Sequence, residues 1–108
     1  MADDRKQAYR DKAEANLREW SAKVDQLLAK ADKARAEGRI ELYDRLENLR
    51  DRREVARQRL AKLKSSGADA WEQVKDGMSQ ALHDLEEAAT TLQRRFREEE
   101  RLDRVRRG

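Results

Sequence analysis

The stretch "LKSSGADAWEQ", residues 63 to 73, gathers small and turn-forming residues in a chain that has no proline. Gly67 follows Ser65 and Ser66, which suits a left-handed cap at the end of one helix. Asp69 stands three residues before Glu72, the spacing of a capping box at the start of the next. Ser66, Gly67 and Asp69 therefore mark a turn, and the chain is expected to double back there. The competing break is Gly38 in "ARAEGRIELY", but no Ser, Thr, Asp or Asn directly follows it to begin a helix. A lone glycine inside a helix costs only about 1 kcal/mol relative to alanine, so Gly38 reads as interior.

Apolar residues run outward from the turn in both directions. Behind it stand Leu42, Leu46, Leu49, Arg53, Ala56, Leu60 and Leu63; ahead of it come Trp71, Val74, Met78, Ala81, Leu85, Ala88, Leu92 and Phe96. Steps of three and four make each run a helical seam. In an antiparallel pair the facing residue numbers add to a constant. Setting Leu63 against Trp71 pairs Leu60 with Val74, Ala56 with Met78, Leu49 with Leu85, Leu46 with Ala88, Leu42 with Leu92 and Gly38 with Phe96. Charge favours this register. Residues 50–64 carry seven basic and two acidic side chains, and residues 69–93 one basic and six acidic.

The expected architecture is all-α: one domain over 1–108, a long antiparallel helical hairpin with helix one about 4–65, a turn at 66–68 and helix two about 69–106. A second seam runs through Ala13, Leu17, Trp20, Val24, Leu27, Ala31 and Ala34, and helix two, at about 1.5 Å per residue, reaches back only to about residue 30. Leu17, Trp20, Val24 and Leu27 then need a partner, and pairing with a second copy makes a homodimeric coiled-coil bundle. The alternative is a three-helix bundle with a break at Gly38.

With 108 residues, 37% hydrophobic and 45% charged, the chain holds one domain at most, and a broad globular interior is not expected. There is no cysteine, which excludes disulfides and thiolate metal sites. The opening "MADDRKQAYRD" has no apolar stretch and no segment nears the roughly 20 apolar residues of a membrane span. The expectation is a cytoplasmic protein.

Catalytic and ligand signals are weak. "SSGAD" lacks the glycines and the Lys-Ser/Thr pair of a phosphate loop. His83 is the single histidine, and Gln80 stands three before it where a helical di-metal site needs Glu. Carboxylates abound, but a two-helix rod has no cleft to shift their pKa values. No catalytic residue, cofactor or metal is expected. Arg50, Arg52, Arg53, Arg57 and Arg59, with Arg101, Arg104, Arg106 and Arg107 near the end, raise nucleic-acid binding as an alternative; the sequence pI is about 9.4. Binding to an anionic membrane surface is a second, set against a narrow, alanine-rich apolar stripe. The leading expectation is a non-enzymatic structural or protein-interaction module that self-associates and recruits another protein.

The chain resembles a group of small uncharacterised bacterial coiled-coil proteins. The likeness rests on "YRDKAEANLREWSAKVDQL", "LYDRLENLRDRREVARQRLAKL" and "SGADAWEQVKDGMSQAL" with its "AWEQVKDG" core, closing at "QRRF". It covers residues 9 to 96 and implies an oligomerising helical hairpin with no activity, cofactor or catalytic residue to carry over. Members commonly lack a glycine where Gly38 stands, which implies a continuous first helix.

Overall fold

The computed structural model describes residues 2–36 and 43–107, with the side chains of 2, 3, 34–36, 43 and 44 left aside. The described residues are helical almost throughout: α1 (Ala2–Ala36), α2 (Tyr43–Ser65), a 3-10 turn (Ala68–Ala70) and α3 (Trp71–Arg107). The fold is all-α, and among the described residues no helix is long and apolar enough to cross a membrane. Each of the three long helices packs against the other two in a body of 61 × 21 × 16 Å.

Cross-helix bonds set the directions. Arg53 Nη1 donates to Asp25 Oδ1 at 2.6 Å, and Lys64 Nζ to Glu14 Oε1 at 3.0 Å. Both pairs of numbers, 53 with 25 and 64 with 14, add to 78, so α1 and α2 are antiparallel. The chain has therefore reversed direction between Ala36 and Tyr43. Lys30 meets Glu100 at 3.8 Å, and Tyr9 bonds to Lys75 and Ser79, so α1 and α3 run parallel. Arg52 Nη1 lies 3.3 Å from Asp84 Oδ2, and a side chain at Gly77 would meet Arg59. Those numbers, 52 with 84 and 59 with 77, each add to 136, close to the 134 expected for α2 against α3.

This corrects the single long first helix over 4–65 and the seam left waiting for a second copy. Leu17, Val24 and Leu27 are buried within one chain, and Trp20 is half-buried against the same core. The physical reason is length. At about 1.5 Å per residue, the 35 residues of α1 and 37 of α3 make rods of nearly equal extent. Laid side by side they cover the α1 seam with apolar surface that the chain already owns. Gly38 and Leu42, and the pairings of Gly38 with Phe96 and of Leu42 with Leu92, lie outside the described residues.

The core lines up in three stripes. Ala13, Leu17, Val24, Leu27 and Ala31 come from α1; Leu49, Ala56, Leu60 and Leu63 from α2; Trp71, Met78, Ala81, Leu85, Ala89, Leu92 and Phe96 from α3. Leu46 and Val74 are half-buried beside them. Ala89 is buried in place of the expected Ala88, which packs half-buried at the edge. A helix with two neighbours needs a wider stripe than a two-helix seam, and the steps 85, 89, 92, 96 keep that stripe centred on both. Arg53 is the charged member of the α2 seam: its side chain is 15% exposed, and its bond to Asp25 lets the guanidinium leave the core edge without losing its partner.

The turn departs from the expected caps. Gly67 has φ −82° and ψ 177°, an extended conformation and not a left-handed one, and it makes no side-chain cap hydrogen bond. Asp69 lies inside the 3-10 turn, exposed. The serines explain why no left-handed residue is needed. Ser65 Oγ donates to the Lys62 carbonyl at 3.3 Å and Ser66 Oγ to the Leu63 carbonyl at 3.1 Å, satisfying two of the last carbonyls of α2.

Two glycine substitutions follow from this geometry. A Cβ at Gly67 would meet nothing within 4 Å, and one at Gly77, inside α3, would meet Arg59 Nη1 at 3.5 Å. Gly67→Ala should leave stability unchanged or raise it by up to about 1 kcal/mol. Gly77→Ala should raise it by roughly 0.5–1 kcal/mol through helix propensity. Urea denaturation midpoints check both, and a fall of more than about 1 kcal/mol at Gly67 would mean a left-handed turn after all.

Candidate functional site

Among the described residues every buried side chain belongs to an apolar residue. Chemistry has to be sought at the surface, where, beside the single histidine, four features stand out. The turn residues Ser66, Gly67 and Asp69 form a compact connection whose hydroxyl groups are already engaged with carbonyls, and nothing in it gathers free donors toward one point. His83 Nε2 lies 3.6 Å from Glu87 Oε2 with both side chains well exposed, and Gln80 Nε2 donates to Asp84 Oδ1 at 2.9 Å. No group of three or more metal-ligating side chains occurs among the described residues.

The second feature is an open groove of about 360 Å³ between α2 and α3, with Arg45, Asn48, Arg52, Asp84, Glu87 and Thr91 along its walls. Opposite charges alternate there, and Arg52 and Asp84 bond across it. This is a seam between two charged helices, closed by that one ion pair, with Arg45 facing the acidic wall of α3.

The third is the end of the bundle beside the turn. Tyr9 and Trp71 meet edge to face, ring centroids 5.9 Å apart. The Tyr9 hydroxyl donates to the Lys75 carbonyl at 3.2 Å and lies 2.5 Å from Ser79 Oγ. Lys6 and Arg10 sit 5.5 and 5.6 Å from the Trp71 ring centre, and Lys75 5.4 Å from that of Tyr9. Nearby, the hydrogen bond and charge of Lys64 hold the Glu14 carboxyl below the usual carboxylate range, against a small opposing effect of burial and with Arg18 assisting. With its rings capped by cations from its own chain, this cluster is a clamp of α1 onto α3. Tyr9 was not among the expected core residues, although it stands four before Ala13 and continues the same seam.

The fourth is the arginine set. Arg50, Arg52, Arg53 and Arg57 each reach a carboxylate: Glu47, Asp84, Asp25 and Glu54 at 3.1, 3.3, 2.6 and 3.9 Å. Arg59 lies over Gly77. The α2 patch is largely neutralised by its own chain. The arginines of the last turns of α3 are different: Arg101, Arg104, Arg106 and Arg107, with Arg94, Arg95 and Arg97 before them, form no ion pair among the described residues. The structure thus splits one expected basic surface into a quenched half and an available half.

Fold and surface together define a class, an all-α bundle of highly charged helices. Comparison with protein-family models, with curated proteins and with solved structures brings no match.

Proposed function

We propose that the protein is a non-enzymatic helical interaction module that works as a single chain through its charged surface. The observation that carries this reading is the fate of the α1 seam. Leu17, Val24 and Leu27 are buried against α2 and α3 of the same chain, so the apolar face that asked for a second copy is already covered. Self-association through that seam would require the bundle to open first. The buried set is apolar throughout, which commits the interior to cohesion and leaves recognition to side chains in water. Interfaces of that kind rely on charge complementarity for encounter and orientation.

Sedimentation velocity tests the single-chain part directly. Between about 5 and about 200 µM the sedimenting mass should stay at that of one chain, 12.7 kDa. A rise toward twice that value with concentration would return the homodimer. Trp20→Ala should lower stability without changing the mass, since Trp20 is half-buried in its own chain with Lys23 4.3 Å from its ring centre.

A further inference from the structure

We infer that the end of the bundle formed by the C-terminal turns of α3 and α1 is a binding face for the phosphate backbone of double-stranded DNA, read without regard to sequence. The inference rests on the single-chain module reading, since it treats this face as open to a partner. Arg94, Arg97, Arg101 and Arg104 follow at steps of three, four and three, and all four are exposed. At 3.6 residues per turn this spacing puts them on one face of α3, along roughly 15 Å of helix.

Two features make this face more than a solvated charge run. The first is its neighbour. Glu100, flanked by Arg97 and Arg104 on the helix surface, reaches across to Lys30 of α1 at 3.8 Å. Lys30 and, one turn on, Lys33 therefore join the four arginines. Because α1 and α3 are parallel, their positive ends come together instead of being matched end to end. On this face six cations stand against Glu98 and Glu100, with Lys30 paired to Glu100, while Glu99 and Asp103 fall on the opposite side of α3; none of the four arginines forms an ion pair among the described residues. The second feature is contrast within one molecule. In α2, Arg50, Arg52, Arg53 and Arg57 are each tied to a carboxylate and Arg59 is laid over α3, which leaves Arg45 as the one arginine of that helix with neither kind of partner among the described residues.

The chemistry selects the partner. Guanidinium groups fit phosphate oxygens in a fixed fork geometry and remain charged. No aromatic residue lies in the stripe, so single strands have nothing to stack on. The face presents cations and few neutral hydrogen-bonding groups for reading ribose hydroxyls, which disfavours duplex RNA. Apolar exposure at this end is limited to Leu102 at 51% and Val105 at 71%, far short of the wide face that lipid insertion requires.

The test uses the full chain and a fluorescein-labelled DNA duplex of about 20 base pairs, followed by anisotropy against sodium chloride. Four phosphate contacts predict a log–log salt slope of about −3.6, so binding should weaken roughly 150-fold between about 50 and about 200 mM. The double variant Arg97→Gln with Arg101→Gln should bind at least tenfold more weakly at about 50 mM and show a slope near −2. The matched control, Arg52→Gln with Arg57→Gln, should change affinity less than about twofold. Absence of duplex binding at about 25 mM salt would overturn the inference. So would equal loss in the control, tighter binding to an RNA duplex of the same sequence, or capture by phosphatidylserine vesicles without capture by DNA. Circular dichroism and sedimentation of the same samples separate the two readings. A folded single chain that ignores DNA removes only this inference, whereas a concentration-dependent dimer removes the module reading beneath it.

Discussion

Val24→Asp should unfold the whole chain. Val24 is fully buried near the middle of α1, and α1 packs along both other helices. A carboxylate there has no cation within the core to meet it, and leaving a charge buried and unpaired costs several kcal/mol even after relaxation. A domain of this length has a total stability of roughly 5–15 kcal/mol, so the loss consumes much or all of it. The folded chain has one core spanning all three helices, and no second core remains for α2 and α3 to retreat to. The expected readout is loss of most far-UV helical signal at physiological temperature, with the mass of one chain. If α1 instead packed against another copy, the same variant would keep an intact α2–α3 pair and more than half of the helical signal, and that outcome would refute the bundle. Val55→Asp is the control. Val55 is exposed at 42% on α2, and the change should stay within about 0.5 kcal/mol.

How much of this was legible beforehand depends on the level. The seams were legible. Ala13, Leu17, Val24, Leu27 and Ala31 are buried in the periodic order the sequence displays, and the α2–α3 register differs by two from the expected sum. What a seam does not say is who covers it. Leu17, Trp20, Val24 and Leu27 present the same stripe to a neighbour in the same chain and to a second copy, because burial has no memory of connectivity. The choice lay in residues 37–42, where no cap signal announces a helix end; in helices of this length tertiary packing outweighs local propensity.

The turn was placed correctly but for the wrong chemistry, since two serine hydroxyls do what a left-handed glycine was expected to do. The candidate surface was half visible. Arg101 and Arg104 could be picked out as a cluster near the chain end, whereas Arg94 and Arg97 stand inside the expected second helix with no signal of their own, and Lys30 and Lys33 lie some 60 residues away in sequence. Only the parallel pairing of α1 with α3 brings them to one face. The quenching of Arg52 and Arg53 was foreseeable as net charge. The individual partners were not, because Asp25 belongs to the helix whose position was misjudged.

Trp71→Ala is expected to be the most damaging truncation of a single side chain. Trp71 is 9% exposed at the head of α3, directly after the turn, so its indole sits where α2 ends, α3 begins and α1 arrives. Removing a buried tryptophan costs about 3–5 kcal/mol through lost transfer energy and the cavity left behind. The edge-to-face contact with Tyr9 contributes about 0.5–1.5 kcal/mol of specific attraction, and Lys6 and Arg10 lose the ring they stand against. These terms overlap and do not simply add. A loss of 3–5 kcal/mol should lower the melting temperature by roughly 15–30 °C in a domain of this size.

Tyr9→Phe separates the parts of the clamp. It keeps the ring contact and removes the hydroxyl bonds to Lys75 and Ser79, which should cost only about 1 kcal/mol. If the clamp is built as described, Tyr9→Phe in the Trp71→Ala background should cost less than it does alone, because α1 is no longer held at a fixed distance from α3 there. A double-mutant cycle measured by urea denaturation reads that coupling. Strict additivity, with Trp71→Ala costing less than about 1 kcal/mol, would mean that α1 does not lean on the start of α3.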